Sequence, residues 1–247
     1  MSETFLLVHG SWHGGWAWEG VSEHLEREGH RTVAPTLAGH GPGASRAGVR
    51  HADCVDTVAS AAESMELDDI TLVGHSFGGS VISKVAERIP ERIARLVFFT
   101  AFVLEDGQSI VDNLPREQVE EFERSAAASS DNTVECPWDI FRDAFMQDAG
   151  EEQARAVWSR LAPQPYATWT DKLDLGRFYS LDIPRTYIAC RDDLALDPGG
   201  WHPGMSSRLG SFDLREMPGS HEVMFTNPEA VAQELIAAAV PTREEAL

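Results

Sequence analysis

Six short apolar runs punctuate the chain: TFLLV (4–8), RTVA (31–34), ITLV (70–73), RLVFF (95–99), RTYIAC (185–190) and FDLREM (212–217). Most lack strict apolar–polar alternation, as parallel strands covered on both faces do. Between them, apolar positions recur at helical spacing over 17–28, 53–65 and 77–89, and again over 228–239 after the last run. The final helix has a plain start signal, with Asn227 as cap, Pro228 in the first turn and Glu229 near the positive dipole end. This alternation predicts right-handed crossovers and one mainly parallel six-stranded sheet flanked by helices, an α/β architecture.

One segment breaks the rhythm. Residues 105–180 carry helical patterns, PREQVEEFERSAAA, WDIFRDAFMQDA and EEQARAVWSRLA, but no convincing strand. Aromatic residues concentrate there: Trp138, Phe141, Phe145, Trp158, Trp169 and Phe178. The expectation is a single domain, 1–247, whose core (1–104 and 181–247) receives a helical lid or cap insertion at about 105–180.

Composition narrows the partners. The 247 residues suffice for one large domain with a well-buried core. A net charge of −20 argues against nucleic acid or an anionic membrane surface as partner. The N-terminus begins directly with a strand-like run and lacks a signal-peptide pattern, and no apolar run approaches the ~18 residues of a membrane span. Cys54, Cys136 and Cys190 are odd in number and widely spaced, which disfavours a disulfide framework or a zinc site. His9 and His13 are separated by a glycine that breaks the helix needed to align them on a metal. A cytoplasmic protein without metal or organic cofactor is expected. No sustained heptad announces an interface, and a homodimer is compatible with the sequence.

The chemistry concentrates at GHSFG (74–78), which satisfies G-x-S-x-G between a strand and a helix. Glycines two before and two after the serine allow a turn in which side chains would clash, and the starting helix aims its free N–H groups at the serine. Ser76 is then a candidate nucleophile, and a serine needs a histidine base oriented by a carboxylate. His221 follows the last strand; Asp192, Asp193 and Asp197 follow the strand before it. Asp193 is the preferred acid, two or three residues past the strand end, with Asp192 next and Asp197 after it. Two backbone donors, the N–H groups of Ser11 and Phe77, are expected to form an oxyanion hole. His9 reads as a buried loop anchor. Trp12 is the foremost candidate to touch a ligand, and its neighbour Gly10 and the elbow residue His75 complete the proposed substrate contacts.

At this point the chain resembles a known group. The stretches FLLVHGSWHGGWAWEGVSEHLEREGHRTVAPTLAGHG, LVGHSFGG, FFTAFVLEDGQSI, YIACRDD and PGSHEVMFTNPEAVA are similar to α/β-hydrolases of the plant methylesterase and hydroxynitrile lyase type, a group that includes bacterial esterases. The resemblance covers about two thirds of the length and implies the α/β-hydrolase fold. It also gives Ser76, Asp193 and His221 the triad roles and Ser11 and Phe77 the oxyanion hole. In that group the lyases carry threonine at the position of Gly10 and lysine at that of Glu222, so the resemblance implies a hydrolase. The expected substrate is a small, largely apolar alkyl or aryl ester. A cofactor-free lyase, a C–C bond hydrolase and a small-ligand binding protein with a vestigial triad are the alternatives.

Overall fold

The structure is a computed structural model that describes residues 2–240; Met1 and residues 241–247, assigned above to the same domain, lie outside the described residues. The six apolar runs form β1 (Thr4–Val8), β2 (Arg31–Val33), β3 (Ile70–His75), β4 (Ile93–Phe99), β7 (Arg185–Cys190) and β8 (Asp213–Met217). They make one sheet in the order β2-β1-β3-β4-β7-β8, with every pairing parallel. β3 and β7 are buried at every residue, which explains why they read as continuous apolar runs, whereas the edge strand β8 alternates exposed and half-buried positions before ending on buried Met217.

The helices cover the two faces. On one side α1 (Glu19–Arg27) packs beside the C-terminal helix Pro228–Ala239, around Trp18, Phe99 and Leu235. Asn227 caps that last helix as expected, its side chain accepting the Ala230 N–H at 3.2 Å. On the other side lie α2 (His51–Ser64) and α3 (Gly78–Arg88), joined by the apolar residues of the 105–180 segment in a larger core cluster. α2 begins two residues earlier than the periodicity predicts, because Asp53 accepts the Arg50 N–H at 2.8 Å and so closes the first turn.

Within 105–180, α4 (Arg116–Ala128) and the helix Glu151–Trp158 match their patterns. The third pattern is only partly helical: a short turn at Trp138–Ile140 widens over Phe141–Phe145 and stops at Met146. The segment also holds an antiparallel pair, β5 (Thr133–Val134) and β6 (Gln164–Pro165), where no strand was expected. Two-residue strands, one ending in proline, carry no periodic signal.

Candidate active site

The apex of the site is the turn between β3 and α3. Ser76 sits there with φ of 51°, a left-handed conformation uncommon for a residue with a side chain. Its carbonyl accepts the N–H groups of Gly79 and Phe102, both at 3.0 Å, which fixes the turn. A Cβ on Gly74 would lie 2.6 Å from the Gly78 carbonyl oxygen, and one on Gly78 would lie 2.7 Å from that of Val8. Both glycines are therefore demanded by backbone-to-backbone approach.

His221 follows β8 and Asp193 follows β7, so the loops leaving two adjacent strands bring them together. His221 Nδ1 donates to Asp193 Oδ2 at 2.7 Å. The same oxygen accepts from Thr100 Oγ1, and Oδ1 accepts the Ala195 N–H at 2.8 Å. Burial disfavours the charged carboxylate, but the facing His221 and these three donors outweigh it and hold Asp193 below the ordinary carboxylate range. For His221, burial opposes the cation, and the charge and hydrogen bond of Asp193 outweigh it, so its pKa lies above the ordinary histidine value. Of the other two acids, Asp192 accepts the Gly219 N–H at 2.8 Å and so staples the two loops, while exposed Asp197 lies in a groove outside the site.

Ser76, His221, Ser11 and Trp12 line one narrow cavity of about 40 Å³. Six residues of the 105–180 segment complete its walls: Ile110, Leu114, Gln118, Phe122, Phe145 and Trp169. Trp201 stacks on the His221 ring with centroids 5.2 Å apart, and Phe145 meets that ring at the same spacing. Among the described residues no hydrogen bond takes up the N–H of Ser11 or of Phe77. Trp12 is clamped in place: its N–H donates to Gln164 Oε1 at 3.0 Å, its indole to the Val134 carbonyl at 2.9 Å, and its carbonyl accepts the Ala162 N–H at 2.7 Å.

Two expected substrate contacts lie elsewhere. Gly10 and His75 do not line the cavity; they pack beneath it. A Cβ on Gly10 would come 2.9 Å from His75 Nδ1 and 3.0 Å from the Ser76 Cβ, so this glycine seats the first loop against the elbow. The His75 ring lies against that of His221, centroids 4.7 Å apart, and its Nε2 donates to the His221 carbonyl at 3.1 Å. Burial holds its pKa well below the ordinary value, so it supports the His221 loop as a neutral ring. His9 is the anchor expected of it, donating from Nδ1 to the Gly10 carbonyl at 2.8 Å and accepting the Leu37 N–H at 3.0 Å.

Glu222 follows His221 directly in the chain. It is buried and outside the cavity lining, with its carboxylate 3.5 Å from His13 Nε2. His13 Nδ1 donates to the Ser11 carbonyl at 2.7 Å, and among the described residues neither His13 Nε2 nor Glu222 Oε2 has a hydrogen-bond partner. His75, His221 and Glu222 bring their ligand atoms within 4.8 Å of one another. The hydrogen bonds of His75 Nε2 and His221 Nδ1 already commit two of those nitrogens, so the trio is poorly suited to a metal. All three cysteines are free and buried, with the Cys54 thiol pushed up to about 12 by burial.

The residues that sequence reasoning missed are Thr100, Gln118, Gln164 and Trp201. Of these only Trp201 had a visible signal, an aromatic residue in the Gly/Pro-rich loop shortly after the acid.

A strand-end serine elbow and a His–Asp pair on the next loops are the marks of an α/β-hydrolase. The chain belongs to the alpha/beta hydrolase family, which it matches over residues 5–234. It is 33% identical over 241 residues to a carbendazim hydrolyzing esterase of Nocardioides sp. (strain SG-4G), covering 95% of this chain and 98% of that one. Methylesterase 1 of Arabidopsis thaliana is 30% identical over 211 residues, 78% of this chain and 80% of that one. A solved structure of an extracellular α/β-hydrolase from a Paenibacillus species superposes with a TM-score of 0.92 at 39% identity, covering 96% of this chain and 98% of that one. That protein is described as sharing structural and functional homology with tobacco salicylic acid binding protein 2. Named esterases among the relatives support ester hydrolysis in general. Among the described residues no helix is long and apolar enough to cross a membrane.

Proposed function

We propose that the protein is a serine esterase acting on a small, largely apolar alkyl or aryl ester through an acyl-enzyme. The observation that carries this reading is the His221–Asp193 hydrogen bond at the wall of an apolar cavity that also exposes Ser76 on its elbow. His221 takes the proton of Ser76 Oγ as the oxygen attacks the ester carbonyl carbon. The oxyanion that forms is held by the N–H groups of Ser11 and Phe77, the second at the start of α3, where the helix dipole adds to it. The protonated His221 then gives its proton to the departing alkoxide. Water, activated by the same ring, cleaves the acyl-enzyme. Asp193 fixes the tautomer and stabilises the transient cation. The 105–180 segment serves as the lid that closes the apolar side of the cavity.

The lyase alternative has no observation in its favour. Its threonine at position 10 would place a Cβ against the Ser76 Cβ at 3.0 Å, so the loop would have to move. The test is hydrolysis of short-chain and aryl esters by the protein and by Ser76→Ala. A loss of at least ~10³-fold in the variant is expected. Equal rates in both proteins would sink the nucleophile assignment, and tight ligand binding without turnover would favour the receptor reading.

A further inference from the structure

The cavity holds one polar side chain that the reaction does not use. Of its polar lining residues, Ser76, His221 and Ser11 have roles or partners, Ser11 Oγ accepting from the Trp169 indole at 3.1 Å. Gln118, on α4, has neither: its amide makes no hydrogen bond among the described residues. A second donor in the same lining is also unmet, because the buried Nε1–H of Trp201 has no partner. The half-exposed Gln118 amide stands at the cavity wall free to bond a ligand, whereas the buried Trp201 N–H loses hydrogen-bond energy unless a partner reaches it.

Gln118 also marks a junction. A wider groove of about 640 Å³ adjoins the cavity and shares Leu114, Gln118, Ala195 and Leu196 with it. The groove is lined by polar as well as apolar groups, including Asp112, Asp197 and Arg208. Arg208 is engaged, donating to the Val103 carbonyl at 2.9 Å and to Asn113 Oδ1 at 2.7 Å, and Asp112 is paired with Lys172. The charges lining the groove are thus of both signs, with Asp197 exposed among them.

We infer that Gln118 is a specificity-determining residue that hydrogen-bonds a polar group carried by the substrate beyond its ester, at the neck where the narrow cavity opens into the groove. The substrate class is an ester with a small apolar part beside Ser76 and a longer hydrogen-bonding part, such as an amide, leading outward. This rests on the esterase reading. A site built to hydrogen-bond a substrate group discriminates strongly against an analogue lacking it, whereas an apolar wall discriminates weakly.

The experiment uses methyl esters with a terminal carboxamide two to five methylenes from the ester carbonyl, each paired with a hydrocarbon counterpart of equal length. The unchanged protein should prefer at least one carboxamide member in kcat/KM. Gln118→Leu should reduce that preference ratio by about tenfold or more, mainly through KM, and Gln118→Asn should restore part of it for a substrate one methylene longer. Absence of any preferred carboxamide member, or an equal effect of Gln118→Leu on both partners of each pair, overturns the assignment. If no ester of either series turns over, the esterase reading fails, and this assignment falls with it.

Discussion

Thr100 offers the sharpest test of how the His–Asp pair is held. Its hydroxyl donates to the very oxygen, Asp193 Oδ2, that accepts from His221 Nδ1. Thr100→Val keeps the β-branched shape at a backbone φ of 39° and removes only that donor. A hydrogen bond to a buried charge is worth about 1.5–3 kcal/mol. At 2–4 °C per kcal/mol for a protein of this size, the melting temperature at pH 7 should fall by about 3–12 °C. The pH dependence carries the stronger signature. Asp193 is held below its unfolded value, so its contribution is complete above an unfolded pKa of about 3.9 and disappears as pH falls through the lower folded value. The gap between variant and wild type should therefore narrow below about pH 4. His221 has the opposite sign: its raised pKa stabilises the fold fully below about 6.5, and that contribution is lost as pH rises through the folded value. With one donor fewer on the shared oxygen, the carboxylate attracts the imidazolium more strongly. Because the base must be neutral to act, the acid limb of kcat/KM should move to higher pH, with the deficit greatest near neutrality and recovering in alkali. Calorimetry across pH, with ester kinetics over the same range, reads both effects. An unshifted or lowered acid limb together with unchanged stability at pH 7 would refute the argument.

Other expectations follow from the same coordinates. Gly79→Ala would place a Cβ 2.4 Å from the Phe102 carbonyl oxygen, so an overpacking cost of about 1–3 kcal/mol should outweigh the roughly 1 kcal/mol of helix propensity gained. Gly176→Ala, whose Cβ would meet nothing nearer than 3.7 Å, should instead stabilise by about 0.4–1 kcal/mol; denaturant midpoints moving in the same direction for both would contradict this.

The sheet was legible because burial on both faces leaves an apolar run wherever a strand passes through the core, as at ITLV and RTYIAC. The elbow was legible for a related reason: Gly74 and Gly78 have no room for a side chain, and such positions show in the sequence as glycine. Distance from the strand end set Asp193 and Asp192 apart from Asp197 but fits both neighbours, and the preference for Asp193 over Asp192 rested on the resemblance as well. What escaped was orientation. Gly10 and His75 are close to Ser76 in space, yet they support it from beneath, and nothing in the sequence says which side of a turn faces the ligand. Gln164 escaped for want of range: its bond to the Trp12 N–H spans 152 residues, and its own neighbourhood carries no pattern beyond a two-residue strand.

Long-range bonds of this kind tie the 105–180 segment in register to the loops at the sheet's end. Ser76, Asp193, His221, Ser11 and Phe77 all stand on core loops at the ends of β1, β3, β7 and β8, so the sheet alone sets their spacing. The 105–180 segment supplies apolar wall, yet it meets the core through a few directional contacts as well as through packing. Buried Gln164 accepts from Trp12, lies 2.8 Å from His40 Nε2 and donates to Thr168 Oγ1 at 2.7 Å. Asp148 accepts from Ser220 Oγ at 2.7 Å and from Thr226 Oγ1 at 2.9 Å, on either side of His221 in sequence. Each clamp lands one or two residues from a group assigned to the chemistry: Trp12 beside Ser11, Ser220 beside His221. Packing alone would let such a segment slide by fractions of an ångström at little cost, whereas the buried Gln164 amide, were it to lose its partners, would cost about 1–3 kcal/mol. Changes to the apolar wall, at Phe122 or Leu114 for example, should therefore alter which ester fits while the clamps keep the oxyanion loop and the histidine loop in place.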